Sequence, residues 1–222
     1  TGDAAMIDFA LLKQLNAGTS KERLSALTRA VARADFPPVD PRMVNNHVHT
    51  TYSFSPYSPT AAVYAARAEG LATCGIVDHD SMGGAREFVE AGRIVGIPTT
   101  IGVEARVSFR ETAFADQRTN NPDQIGVSYL VLHAVPHENI EKVQAYFAPL
   151  RERRNVRNKE MIARINALYA DEGVSLDFER DVLPLSQFAD GGSITERHLM
   201  LALARQLLAL GKAELPEHAT EL

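Results

Sequence analysis

From residue 43 to residue 132 short apolar runs alternate with amphipathic stretches, and that order limits the fold more than any other feature of the chain. Residues 43–49 read as a strand. Ser58 and Pro59 make an N-cap and first-turn pair, opening a helix that ends at Gly70. Residues 71–77 form the next strand, and a helix from about 84 to 95 is closed by Gly96. Residues 97–103 and 127–132 supply the third and fourth strands. Strand, helix and strand in this order imply a parallel sheet wound with right-handed crossovers, either an open α/β sheet or an α/β barrel.

The flanks read as helical. Residues 6–34 carry Leu24, Leu27 and Val31 at helical spacing behind a capping box of Thr19 and Glu22. Pro37, Pro38 and Pro41 then make a linker. Beyond the fourth strand, Ile140, Val143 and Phe147 share a face until Pro149 interrupts it, and Met161, Ile165 and Leu168 share another until Gly173. A last helix begins near Ser193, with Glu196 as its capping-box partner, and stops near Gly211. The expected organisation is an N-terminal helical extension and linker (1–40), an α/β core (41–137) and a helical C-terminal region (138–222).

With 222 residues, 45% hydrophobic and 23% charged, the chain is large enough for one substantial core. Its apolar runs at 199–203 and 207–210, separated by Arg205 and Gln206, fall well short of the ~20 residues of a membrane span, so no membrane association is expected. Thr1-Gly2-Asp3-Ala4-Ala5 has neither an initiator Met nor the order of a secretion signal and reads as a cut start or tag scar. Cys74 is the sole cysteine, which excludes an internal disulfide and a thiolate cluster and fits a cytoplasmic protein. Any metal must therefore be held by His and carboxylates. A net charge of −5 disfavours a protein that coats nucleic acid and leaves small anionic substrates open.

Residues able to ligate metal fall at the ends of successive strands: His47 and His49, then Asp78-His79-Asp80, then Glu104, then His133. Side chains two apart on a strand share a face, so His47 and His49 converge, and the carboxyl ends of parallel strands are where such folds assemble sites. Each piece alone has a plainer reading, as surface histidines, a turn before a helix, or an ion-pair partner. Their coincidence favours a metal site, because so many buried polar groups are costly without a cation.

The segments Asn46-His47-Val48-His49-Thr50-Thr51-Tyr52-Ser53, Gly75-Ile76-Val77-Asp78-His79-Asp80-Ser81 and Ile101-Gly102-Val103-Glu104 resemble, in order and spacing, the first three motifs of the PHP (polymerase and histidinol phosphatase) superfamily. The likeness is close over about residues 43–109, and Arg197-His198 resembles the Arg-Pro-His element of the phosphoesterase branch. The resemblance implies a distorted (β/α)7 barrel, here truncated, and a site of two or three divalent ions, with Mn, Fe or Zn suiting nitrogen-rich ligation. It implies His47, His49, His79, Glu104 and His198 as ligands. Asp78 is expected to orient a liganding histidine, so that His79, Glu104 and Asp78 form the catalytic group.

The chain departs from the family at three places. Ser53-Phe54-Ser55 stands where many relatives have Ser-Asp-Gly, and Tyr129 stands where relatives often have a histidine, with His133 four residues later as its candidate substitute. The late Asp-x-His pair has no counterpart; His218, in Pro216-Glu217-His218, is the only histidine after His198. Either the sequence is a fragment of a longer protein or it is a divergent member with an incomplete site. The fragment reading is favoured, since four strands leave a barrel unclosed and its edges unpaired.

The expected activity is hydrolysis of a small phosphomonoester or nucleotide by metal-activated water. The alternatives are a nuclease acting on nucleic-acid ends and a degenerate metal-binding regulatory module. Gly191-Gly192-Ser193 before a helix, with Arg197, is a candidate phosphate grip, set against a plain helix cap. Arg151, Arg153, Arg154, Arg157, Lys159 and Arg164 read as a solvated helix face, diluted by Glu152 and Glu160. Ser53 and Ser55 read as loop residues.

Overall fold

The computed structural model describes residues 9–121 and 124–212. Two helices come first, α1 (Phe9–Asn16) and α2 (Ser20–Val31). The capping box at the start of α2 forms as its spacing requires: Thr19 Oγ1 accepts the Glu22 N–H at 3.3 Å, and the Glu22 carboxylate accepts the Thr19 N–H at 2.7 Å. These helices share the main core, because Leu12, Leu15 and Leu27 are buried in the same cluster as Val63, Phe88 and Ile101. Arg23 of α2 also reaches Glu87, with Nε–Oε1 and Nη2–Oε2 distances of 2.8 and 2.6 Å, and Glu87 accepts the Thr60 hydroxyl at 2.7 Å.

The core sheet is β1 (Asp40–Val48), β2 (Leu71–Ile76) and β3 (Thr99–Ile101), parallel and in the order β1-β2-β3. Helix α3 (Pro59–Ala68) makes the first crossover; Ser58 Oγ caps it by accepting the Ala61 N–H at 3.0 Å. Its alanines at 61, 62, 66 and 68 are buried. Helix α4 (Ala85–Val95) makes the second crossover and ends at Gly96, whose φ of 73° is the left-handed conformation a C-terminal glycine supplies.

The third strand is shorter than its apolar run suggests. It stops at Gly102, and the chain continues as β4 (Val103–Ser108), paired antiparallel with β5 (Val127–Leu132). A Cβ on Gly102 would lie 2.2 Å from the Leu132 carbonyl oxygen, so only glycine lets the two backbones approach here. Gly102→Ala is expected to destabilise the fold by about 1–3 kcal/mol through overpacking, seen as a lowered thermal midpoint. The described strands make an open parallel sheet with an attached hairpin and do not close a barrel.

The expected break at Pro149 is absent. Helix α5 runs unbroken over Ile140–Leu168. Ile140 and Phe147 join the first core, Arg151, Asn155 and Asn158 are buried beyond the proline, and Ile162 joins a second core built on Phe178, Ile194 and Leu199. Burial on both sides of Pro149 outweighs a cost of about 3 kcal/mol. Helix α6 (Glu196–Ala209) starts at an N-cap of Thr195, two residues after the expected Ser193. No helix among the described residues is long and apolar enough to cross a membrane.

Candidate metal centre

Four of the expected ligands meet at the carboxyl end of the parallel sheet. His47 and His49 leave β1 on one face, His79 lies just past β2, and Glu104 is the second residue of β4. The ladder continues beyond the strands to hold them: Gly102 N–H donates to Ile76 O at 2.9 Å, Glu104 N–H to Asp78 O at 3.1 Å, and Asp80 N–H to Glu104 O at 2.9 Å. Around the Glu104 carboxylate stand His47 Nε2 at 3.6 Å, His49 Nε2 at 3.4 Å and His79 Nδ1 at 3.2 Å. The His49 and His79 rings stack at 4.6 Å. Donor atoms of His47, His49 and Glu104 lie within 4.8 Å of one another, close to the span that bonds of about 2.1 Å permit.

Electrostatics leave this cluster short of positive charge. Burial lowers the His79 pKa to about 3 and the His49 pKa to about 4, with nearby His and Arg charges adding to both, so these rings are neutral at pH 7. The same burial raises the Glu104 pKa, against a lowering effect of His47. Neutral imidazoles around a half-desolvated carboxylate are the donor set a divalent cation would satisfy.

Asp78 supports the cluster differently from the expectation. It is 1% exposed, and among the described residues the hydrogen-bond partners of its carboxylate are Thr50 and Ser53, with no histidine. It accepts the Thr50 N–H at 2.6 Å, the Thr50 hydroxyl at 2.5 Å and the Ser53 hydroxyl at 2.6 Å. Burial pushes its pKa up to about 6, opposed by the bonds from Ser53 and Thr50. Ser53 Oγ also lies 3.4 Å from His49 Nδ1. Since the one Ser53 hydroxyl hydrogen goes to Asp78, this second contact needs the imidazole proton on Nδ1, which leaves the Nε2 lone pair facing Glu104. Asp78 thus orients His49 through Ser53, a residue that reads as plain loop in the sequence.

A cleft of about 470 Å³ opens over the cluster, walled by His49, His79, Glu104 and by three residues outside the expected site: Arg106, Tyr129 and Arg154. Arg106 pairs with Tyr129 across the hairpin, so both share the face of Glu104. The alternation Glu104, Arg106 carries that signal. Arg154 carried none, because the azimuth of a long helix against a sheet is not written in its spacing. Instead of being solvated, Arg151 is buried and donates to Asp80 O at 2.9 Å, and Arg154 forms a buried ion pair with the Asp80 carboxylate. Together they hold Asp80 in a left-handed conformation, φ 51°.

Other expected residues fall elsewhere. His133 is exposed and absent from the cleft wall, because β5 is antiparallel and its carboxyl end runs away from the mouth; Tyr129, 5.8 Å from the His79 ring, takes the nearby place. His198 is 1% exposed and serves as a capping partner: its Nδ1 accepts the Thr195 N–H at 3.0 Å, which puts the proton of the neutral ring on Nε2 and leaves no lone pair for a metal. Phe54, with φ 90°, packs edge-on against that ring at 4.8 Å. The glycine grip does not form, since the N–H groups of Gly191, Gly192 and Ser193 donate to Phe188, Gln187 and Tyr52 carbonyls. Arg197 does line the cleft and has no ion-pair partner among the described residues. His218 lies outside the described residues.

Residues 45–152 match the PHP domain family. A presumptive metal-dependent phosphoesterase from Bifidobacterium adolescentis is similar in structure, with a TM-score of 0.59 and 24% identity over 78% of this chain and 52% of its own. An amidohydrolase from Chromobacterium violaceum with bound sulfate and no metal has a TM-score of 0.54 and 21% identity over 78% of this chain and 55% of its own. The chain therefore spans about half the length of these solved structures. No curated protein matches it.

Proposed function

We propose that this chain, which carries a PHP domain over residues 45–152, hydrolyses a small phosphate monoester or nucleotide with the help of divalent metal. The observation that carries this reading is the meeting of His47, His49, His79 and Glu104 beneath a cleft whose wall includes Arg106, Arg154 and Arg197. The donor set is nitrogen-rich and fits Mn, Fe or Zn, with two or three ions as the proposed complement of the site. When bound, such an ion supplies Lewis-acid polarisation and activation of water.

The chain's own residues do the rest. Glu104 draws three imidazoles together and would ligate the bound metal with them, while the Asp78–Ser53–His49 relay fixes the His49 tautomer. Arg197, exposed and without a carboxylate partner among the described residues, offers a bidentate donor to phosphate oxygens. The cleft volume lies within the range of small-molecule sites, which supports a metabolite-sized substrate over a nucleic-acid chain. In this reading the open sheet is the first part of a distorted (β/α)7 barrel, the boundaries near 40 and 137 divide extension, core and helical region, and the protein works in the cytoplasm.

A hydrolysis panel with manganese, iron or zinc added, comparing mononucleotides and sugar phosphates with single-stranded oligonucleotides, tests the reading. Release of phosphate from the small esters is expected; preference for oligonucleotides would replace it with an end-acting nuclease, and no turnover of either would leave a metal-binding module. Arg197→Ala is expected to raise KM about 10–100-fold, the worth of a charged hydrogen bond, with a smaller change in kcat.

A further inference from the structure

Next to the metal cleft lies a smaller cavity of about 250 Å³, walled by Arg106, Arg153, Arg154 and Arg157 together with Asp80 and Leu150. Arg106 and Arg154 belong to both walls, so the two spaces are neighbours. Three of these guanidiniums meet carboxylates: Arg154 is buried against Asp80, which walls the cavity, and Arg106, Arg154 and Arg157 all face Glu196, which lines the adjoining metal cleft.

Glu196 is the unusual member. It is ion-paired with Arg157, and its oxygens lie 3.9 Å from Arg106 and 4.0 Å from Arg154. It stands at the first position of α6, where the helix dipole favours an anion, and it lines the metal cleft. Burial raises its pKa, but its own backbone N–H and Arg157, Arg154 and Arg106 outweigh that and hold it ionised. Its side chain is still 41% exposed. A half-exposed carboxylate facing three guanidiniums occupies the electrostatic position of a ligand anion, and unlike Asp80 it is free to swing toward solvent.

We propose that the arginine cavity binds a second anionic group, a phosphate or carboxylate borne by the same small molecule whose ester lies in the metal cleft, and that Glu196 is the internal anion this group displaces. Glu196 is then a specificity-determining residue. A ligand with one anionic group gains nothing from the cavity, whereas one with two exchanges its second group for Glu196 and recovers the charge-assisted bonds of Arg157, Arg106 and Arg154. The identity of the ligand rests on the phosphoesterase reading; the anion site does not.

Titration calorimetry of inorganic phosphate into the full chain, in the presence of chelator, separates the two. Glu196→Gln is expected to bind phosphate about tenfold tighter than the native chain, the size of one regained charged hydrogen bond. Glu196→Asp, which keeps the helix-start charge but shortens the side chain, is expected to fall between them and decides the matter should the glutamine variant not fold. Adding Arg157→Ala to Glu196→Gln is expected to return the affinity to that of the native chain, because Arg157 walls the small cavity and not the metal cleft. Unchanged or weaker binding in both Glu196 variants would overturn the proposal and leave Glu196 a tether between α5 and α6. A gain that survives Arg157→Ala would place the anion in the main cleft and overturn it equally. Since chelator is present throughout, a failure of the metal site cannot imitate either result.

Discussion

Glu104→Ala is expected to lose bound divalent metal almost completely, measured by elemental analysis of protein purified without chelators. The reason is geometric. Three imidazole nitrogens lie within 3.6 Å of this one carboxylate, and among the described residues it supplies the only formal negative charge in direct contact with all of them. Without it, neutral His49 and His79 face an ion with no anionic ligand to offset its desolvation. His47→Ala, which removes one half-exposed imidazole, is expected to weaken binding less. Ser53→Ala, which frees the His49 ring from Asp78, is expected to weaken it roughly 10–100-fold, as is usual for partners that orient a ligand. Equal metal in the native chain and all three variants would remove the site as assigned. The same rank order in hydrolysis rates would tie the metal to the activity.

The second large effect concerns stability. Glu87→Ala is expected to destabilise the chain by about 3–5 kcal/mol, because it leaves the Arg23 guanidinium, 9% exposed, without its buried partner. For a chain of this size that is a fall of roughly 6–20 °C in melting midpoint. Thr60, at the start of α3, loses its acceptor in the same step. A double variant, Arg23→Met with Glu87→Leu, is expected to recover most of the loss, since both charges leave together. A Glu87→Ala melt within a degree or two of the native one would show that the pair fastens nothing.

The pair also gives a sign for pH. Burial alone would raise the Glu87 pKa, but the bonds from Arg23 and Thr60 win and lower it below its ordinary value. A group whose folded pKa is lowered stabilises fully above its unfolded value, near 4.5, and loses that contribution as pH falls through the folded value. The stability gap between the native chain and Glu87→Ala is therefore expected to be constant near neutrality and to close in acid.

Reading the sequence alone located β1, β2, α3 and α4, because period, caps and closing glycines all act within a few residues of one another. The Thr19–Glu22 box and Gly96 are of this kind. The donor cluster of His47, His49, His79 and Glu104 was also legible, since strand ends in a parallel sheet meet at one mouth whatever the details of packing. Elements governed by distant partners were not legible. Pro149 sits in an unbroken helix because of what is buried on either side of it. The 127–132 segment is unmistakably a strand, yet nothing local fixes its direction, and its antiparallel pairing with 103–108 takes His133 away from the mouth and brings Tyr129 near.

The sequence by itself therefore determined the chemistry available: imidazoles and carboxylates at successive strand ends, a single thiol, and an excess of arginine along a late helix. Only the tertiary structure decided how those groups are used. It turned Asp78 toward Thr50 and Ser53, gave the His198 lone pair to the Thr195 N–H, and rotated Arg151, Arg154 and Arg157 from an apparent solvent face onto Asp80 and Glu196. The physical reason is range. Spacing and capping act through covalent neighbours, whereas the partner of a polar side chain is whichever complementary group the packed core carries within about 3 Å, and that is set by contacts between residues far apart in the chain.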